Sequence, residues 1–227
     1  MHRPGSGPTA LWVPTGLWVL RHGESTANVE GIIVSAPGPR ALTEVGLTER
    51  GRAQARDAGR RARDAGFGPS TVVVTSDFAR ARETAELFAA ALGAEVPRVD
   101  VRLRERSFGT ADGGPSSAYD EVWAADAARV TPPFDAEPVM SVAQRVSAVL
   151  QENHAALDER GMREEHSTAL GERVTARDVH GSELDAPIVL VAHGDVLQIA
   201  LALGAGMDPH DHRRVPHLGN AELRPVG

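Results

Sequence analysis

Residues Leu17–Asn28 read LWVLRHGESTAN. Leu17, Trp18, Val19 and Leu20 make a short apolar run, the pattern of a strand buried on both faces. Arg21, His22, Gly23 and Glu24 follow at once and do not extend a core. They are groups set at the rim of a sheet, just past the carboxyl end of a strand. In open α/β sheets that rim is where ligands bind.

The rest of the chain continues the alternation. LTERGRAQARDAGRRARDAG (Leu47–Gly66) is a polar helix with a narrow alanine stripe. STVVVTS (Ser70–Ser76) is a second apolar strand, and DFARARETAELFAAALG (Asp77–Gly93) is a helix with Asp77 as its cap and Gly93 as its stop. VPRVDVRLRE (Val96–Glu105) alternates as a third strand would, and SVAQRVSAVLQENHAALDERG (Ser141–Gly161) is an amphipathic helix opening on a serine cap. APIVLVAHG (Ala186–Gly194) is a buried strand ending in a second His-Gly. VLQIALALGAG is the helix behind it and AELRPV a last strand. Strands separated by helices of this length predict an α/β fold with a largely parallel sheet. The expected organisation is a flexible tail over 1–15 and one domain over 16–227. That domain carries an excursion at 108–140, with a helix near Tyr119–Ala128, and a charged, mobile insertion at 162–185.

Composition narrows the chemistry. The 227 residues carry a formal net charge of −7. This argues against a nucleic-acid or anionic-membrane partner, which needs a basic face. There is no cysteine, so thiol nucleophiles and cysteine-ligated metals are excluded. All 24 basic residues are arginines. That removes Schiff-base chemistry and the lysine of a phosphate-binding loop, and leaves arginine and histidine to hold any anion. The apolar N-terminal stretch is broken by Pro14 and Gly16 and shows no small-residue cleavage site, so the expected compartment is the cytoplasm.

The strand ends converge on one rim. Arg21 and Arg80 bring two guanidinium forks, His22 and His193 two imidazoles, Asn28 an amide and Glu105 a carboxylate. Two arginines and a histidine around a second histidine suit a tetrahedral dianion such as a phosphoryl group. A neutral imidazole nitrogen can attack phosphorus, and a carboxyl of raised pKa can serve the leaving oxygen and then water. Taken singly, each residue has a plainer reading. An Arg-His pair after a strand is more often a surface turn, Glu105 can pair with Arg104 or Arg106, and His193 can be a satisfied core histidine.

At this point the sequence resembles the histidine phosphatase superfamily, the phosphoglycerate mutase-like proteins. LRHGESTAN looks like the family signature. LTERGRAQA (Leu47–Ala55), TSDFARARETA (Thr75–Ala85), LRERSFG (Leu103–Gly109) and VLVAHGD (Val189–Asp195) are similar to its further motifs, in the family's order. The resemblance implies a three-layer α/β/α sandwich with a mostly parallel central sheet. It implies His22 as nucleophile, Glu105 as general acid and base, and Arg21, Asn28, Arg80 and His193 as phosphoryl ligands, with no metal and no cofactor. The implied reaction is phosphomonoester hydrolysis on a small phosphorylated substrate. The alternative is a phosphoglycerate mutase using the same core, and a third is a non-catalytic phospho-ligand binder. The mutase branch has a longer excursion with a tyrosine, a lysine and paired arginines. This excursion has Tyr119, one arginine (Arg129) and no lysine, which favours the phosphatase.

Two smaller features complete the reading. DPHDHRRVPH (Asp208–His217) alternates His210 and His212 but lacks a fixed third-ligand spacing, so it is read as a solvated loop rather than a metal site. His217, nearer the last strand, is positioned to border the rim. Tyr119 and Trp123, at helical spacing, are read as packing residues. Neither the natural substrate nor the oligomeric state is specified by the sequence.

Overall fold

A computed structural model of the chain describes residues 16–169 and 187–227. Five strands form one sheet: β1 (Leu17–Arg21), β2 (Val72–Thr75), β3 (Arg98–Val99), β4 (Ile188–Ala192) and β5 (Leu223–Pro225). Their order is β3-β2-β4-β1-β5. β1, β2, β3 and β4 run parallel, and β5 closes the β1 edge antiparallel. β4 is central and wholly buried, as its unbroken apolar run requires.

The helices are α1 (Thr26–Glu30), α2 (Glu49–Asp64), α3 (Ala79–Leu92), α4 (Ala118–Ala128), α5 (Val139–Ala169) and α6 (Gly194–Gly204). Alternation along each strand splits the side chains between two layers. Leu17 and Val19 of β1 and Ile188 and Leu190 of β4 pack with Val142, Val146 and Val149 of α5 and with Val196 and Ile199 of α6. Trp18, Leu20, Val189 and Val191 face the other way, onto Ala58 and Ala62 of α2 and Ala85, Phe88 and Ala89 of α3. The result is the expected three-layer sandwich. Among the described residues, no helix is long and apolar enough to cross a membrane.

Several boundaries depart from the sequence reading. The stretch Val96–Glu105 yields only the two-residue β3. Asp100 then accepts from the Arg102 backbone N–H at 2.9 Å and turns the chain into a single 3₁₀ turn, Val101–Leu103. Val96, Val99 and Val101 are exposed and Leu103 is the one buried apolar residue of the stretch, so its apolar face has no layer to pack on. Asp77 does not cap α3: its carboxylate takes the Arg104 fork at 2.9 and 2.5 Å, and Phe78 occupies the cap position. Ser141 lies inside the first turn of α5, because the Pro138 carbonyl already accepts its N–H at 2.9 Å. α5 also continues past Gly161 to Ala169, across the first part of the expected insertion at 162–185. The rest of that insertion and the expected tail at 1–15 lie outside the described residues.

Candidate active site

The sheet places the site. Arg21, the last residue of β1, pairs in register with Ala192, the last of β4, and the His22 backbone N–H continues the ladder to the Ala192 carbonyl at 3.0 Å. His22 and His193 therefore leave neighbouring strands at the same level, with ring centroids 5.3 Å apart.

The loop after His22 is held by α2 and α3. Thr48 caps α2 by accepting from Gly51 N–H at 3.0 Å, and its hydroxyl donates to Glu24 Oε1 at 2.8 Å. Gln54 Oε1 accepts from Glu24 N–H at 2.8 Å, and Thr84 Oγ1 accepts from Gly23 N–H at 3.0 Å. The two backbones all but touch: a Cβ on Gly51 would fall 2.0 Å from the Glu24 carbonyl oxygen. This contact is the physical reason for a glycine and a glutamine in LTERGRAQA.

His22 is buried, with Nδ1 2.7 Å from the Gly23 carbonyl. A carbonyl only accepts, so Nδ1 carries the proton. Nε2 is left with its lone pair and accepts from Arg80 Nε–H at 3.2 Å. Burial, then Arg80, then Arg21 hold the His22 pKa well below the usual imidazole range. His193 is depressed in the same way by burial, Arg80 and His22, and its Nε2 lies 3.0 Å from Ser76 Oγ.

Arg80, in the first turn of α3, donates a second bond to the Val34 carbonyl at 2.9 Å. Arg21 donates to the Leu218 carbonyl at 2.6 Å and pairs with His217 Nε2 at 2.8 Å. Burial lowers the pKa of both guanidiniums, and among the described residues neither has a carboxylate partner. Among the described residues, three buried side-chain polar atoms lack a hydrogen-bond partner: Arg21 Nε, one terminal nitrogen of Arg80, and His193 Nδ1. Native structures leave few such groups, and here all three belong to one rim.

Glu105 is buried, and its carboxylate accepts from the Arg106 backbone N–H at 3.0 Å. It forms no side-chain pair with its neighbours, since Arg104 binds Asp77 and Arg106 binds Asp126 and Asp195. Burial first, and Asp195 second, push its pKa up to about 7 against the pull of Arg80. Asn28 lies in α1, exposed, where it closes a capping box with Ser25. Its side-chain oxygen is engaged by Ser25 and, at 3.3 Å, by Asn220, which leaves the amide N–H₂ for a ligand.

Arg21, His22, Asn28, Arg80 and Glu105 line a cavity of ≈ 250 Å³, with His193 behind it in contact with His22. His217 borders the cavity, as its place in the sequence suggests. Other groups there escaped the sequence reading. Tyr119 and Trp123 form its wall, stacked at 5.3 Å, rather than serving only as packing. His212 is not solvated: it is fully buried and bonds Asp195 at 2.9 Å through Nε2. Asp195 also accepts from Trp123 Nε1–H at 2.9 Å and from Arg106 at 3.2 Å. Gln198 and Arg213 complete the far side. Gln198 had a signal, being a polar residue within the apolar run VLQIALALG; Arg213 had none. No cluster of three metal-ligating side chains occurs among the described residues.

Comparison with known proteins bears on the family and the fold. The probable phosphoglycerate mutase GpmB of Erwinia tasmaniensis is 36% identical over 110 residues, 47% of this chain and 46% of that protein. The aligned region thus spans less than half the length of that relative. A solved structure described as mycobacterial hydrolase 1 superposes with a TM-score of 0.68 at 27% identity, covering 91% of this chain and 86% of that one. The mycobacterial glucosyl-3-phosphoglycerate phosphatase gives 0.63 at 25% identity, with 91% and 87% covered, and has also been solved with VO₃. The family model for the histidine phosphatase superfamily (branch 1) matches residues 17–162, more than half of the chain. The motifs, the sandwich and this match agree, and the chain belongs to the histidine phosphatase superfamily, branch 1.

Proposed function

We propose that the protein is a phosphomonoester hydrolase that works through a phosphohistidine on a small phosphorylated metabolite, without a metal. The observation that carries this reading is the set of three unpartnered buried donors, on Arg21, Arg80 and His193, around a cavity-lining histidine whose unprotonated Nε2 accepts from Arg80. Ser76 Oγ–H donating to His193 Nε2 keeps the proton on Nδ1, so all three groups can donate to phosphoryl oxygens. Asn28 adds an amide donor at the cavity mouth.

In the first step His22 Nε2 forms a bond to phosphorus while the ester P–O bond breaks. The Glu105 carboxyl gives its proton to the departing oxygen. In the second step Glu105, now a carboxylate, takes a proton from water as the water oxygen attacks phosphorus. The P–N bond breaks, its electron pair returns to Nε2, and phosphate leaves. The two arginines offset the charge on the equatorial oxygens throughout. The family relationship and the phosphatase structures it superposes on support hydrolysis.

The name of the Erwinia relative favours a second reading, in which the same site returns the phosphoryl group to an acceptor as a phosphoglycerate mutase. Both readings meet in one assay, hydrolysis of para-nitrophenyl phosphate in chelator by wild type and His22→Ala. Hydrolysis requires turnover by the wild type only, blocked by vanadate, which mimics five-coordinate phosphorus. Equal turnover by both proteins removes His22 as nucleophile. Loss of activity in chelator, restored by a divalent cation, refutes the metal-free mechanism. An inert wild type that converts 3- to 2-phosphoglycerate when primed with bisphosphoglycerate is a mutase.

A further inference from the structure

Among the described residues, buried and half-buried arginines follow a rule with three exceptions. Arg52, Arg102, Arg104, Arg106, Arg145 and Arg224 are each paired with a carboxylate. Among the described residues of that burial, only Arg21, Arg80 and Arg213 are not, and all three line the same cavity. A phosphoryl dianion accounts for Arg21 and Arg80. It leaves Arg213 over.

Arg213 is also held in place. Its guanidinium lies 3.6 Å from the centroid of the Trp123 ring. Trp123 is itself pinned by its bond to Asp195. One terminal nitrogen of Arg213 donates to Gln198 Oε1, and Gln198 is fixed in turn by donating to the Val215 carbonyl at 2.9 Å. Among the described residues, no partner engages Nε or the other terminal nitrogen. The carboxylates whose charge it feels, Asp195 and Asp120, form no ion pair with it among the described residues: Asp195 is already engaged by His212, Trp123 and Arg106. A cation stacked, braced and left with free donors is built for an incoming acceptor.

We infer that Arg213 is a specificity-determining residue that binds a second anionic group on the substrate, so that the preferred substrates are phosphomonoesters whose leaving alcohol carries an acid. This rests on the hydrolytic reading above for its chemistry, but the anion site does not depend on turnover. The anchor lies on the 3₁₀ segment Pro209–Arg214, behind α6, and not on the excursion that follows Glu105.

Non-hydrolysable probes test it on the full chain. Calorimetry in phosphate-free buffer compares 3-phosphonopropionate and 4-phosphonobutyrate with propylphosphonate and butylphosphonate, which carry methyl in place of carboxylate. One charge-assisted pair predicts about a tenfold to hundredfold preference for the acid-bearing probe of the better length. Arg213→Gln should bring that ratio close to one, while Arg213→Lys, which keeps the charge, retains part of it. A wild-type ratio near one, or a ratio unchanged in Arg213→Gln, overturns the assignment. If the ratio behaves as stated while para-nitrophenyl phosphate is not hydrolysed, the hydrolytic reading fails and the anion site stands. Binding of neither probe sinks both.

Discussion

Glu105 should make the fold less stable as the solution becomes more alkaline, and Glu105→Gln should remove that dependence. Its pKa rises from the ordinary 4.5 to about 7 because the side chain is buried and faces Asp195. The folded protein then binds this proton more tightly than the unfolded chain does. Between the two pKa values the unfolded state releases the proton and the folded state keeps it. The stabilising contribution is complete below the unfolded value and is lost as pH rises to the folded one. For these two pKa values the loss between pH 5 and pH 8 is about 2–3 kcal/mol.

Glutamine keeps the shape of a neutral carboxyl and cannot ionise. The difference in unfolding free energy between variant and wild type should therefore grow by about 2–3 kcal/mol in the variant's favour over that range. In a protein of this size that corresponds to a gain of about 5–10 °C in relative Tm. The assay is urea or thermal unfolding of both proteins in phosphate-free buffers, and only the change of the difference with pH matters. A difference that stays flat from pH 5 to 8 would show that Glu105 ionises at an ordinary pKa. The carboxyl would then not be protonated at neutral pH, and its role as proton donor would fall with it.

Two further substitutions probe how the site is held. Asp195→Asn removes the like charge that helps keep Glu105 protonated, so the alkaline limb of the kcat/KM profile, expected near pH 7, should move to lower pH; a limb that stays in place would assign it to another group. Gly51→Ala drives a methyl into the Glu24 carbonyl and should cost about 1–3 kcal/mol in unfolding free energy while weakening turnover, whereas an unchanged Tm would mean the backbone contact gives way freely.

Most of this architecture was legible because strand periodicity and the Arg-His and His-Gly strand ends are local signals. Trp18 and Leu20 face one layer, Leu17 and Val19 the other, as a run of four apolar residues requires. Failures came where a distant partner decides the local structure. Asp77 is a good cap by sequence, but the Arg104 fork outcompetes the helix terminus for its carboxylate. Val96–Glu105 alternates, but alternation makes a strand only if its apolar face finds a layer, and Val99 and Val101 stay exposed. His212 looked like part of a solvated histidine-rich loop because nothing in its neighbourhood names Asp195 as its partner. Arg213 stands in a charged run, and its place in the cavity depends on Trp123, far away in sequence.

The protonation states the site needs also follow from one cause. Burial disfavours charge on any group, so it favours neutral imidazole on His22 and neutral carboxyl on Glu105. The two arginines do not act alike on the pair. They reinforce neutrality at His22 but work against it at Glu105, where their positive charge favours the carboxylate. Asp195 offsets that pull from the other side, and it can do so because Arg106, His212 and Trp123 keep it ionised in the interior. The buried network behind the cavity is therefore part of its chemistry. Without it, the guanidiniums suited to a phosphoryl group would also draw Glu105 towards the carboxylate, the form that cannot protonate the leaving oxygen.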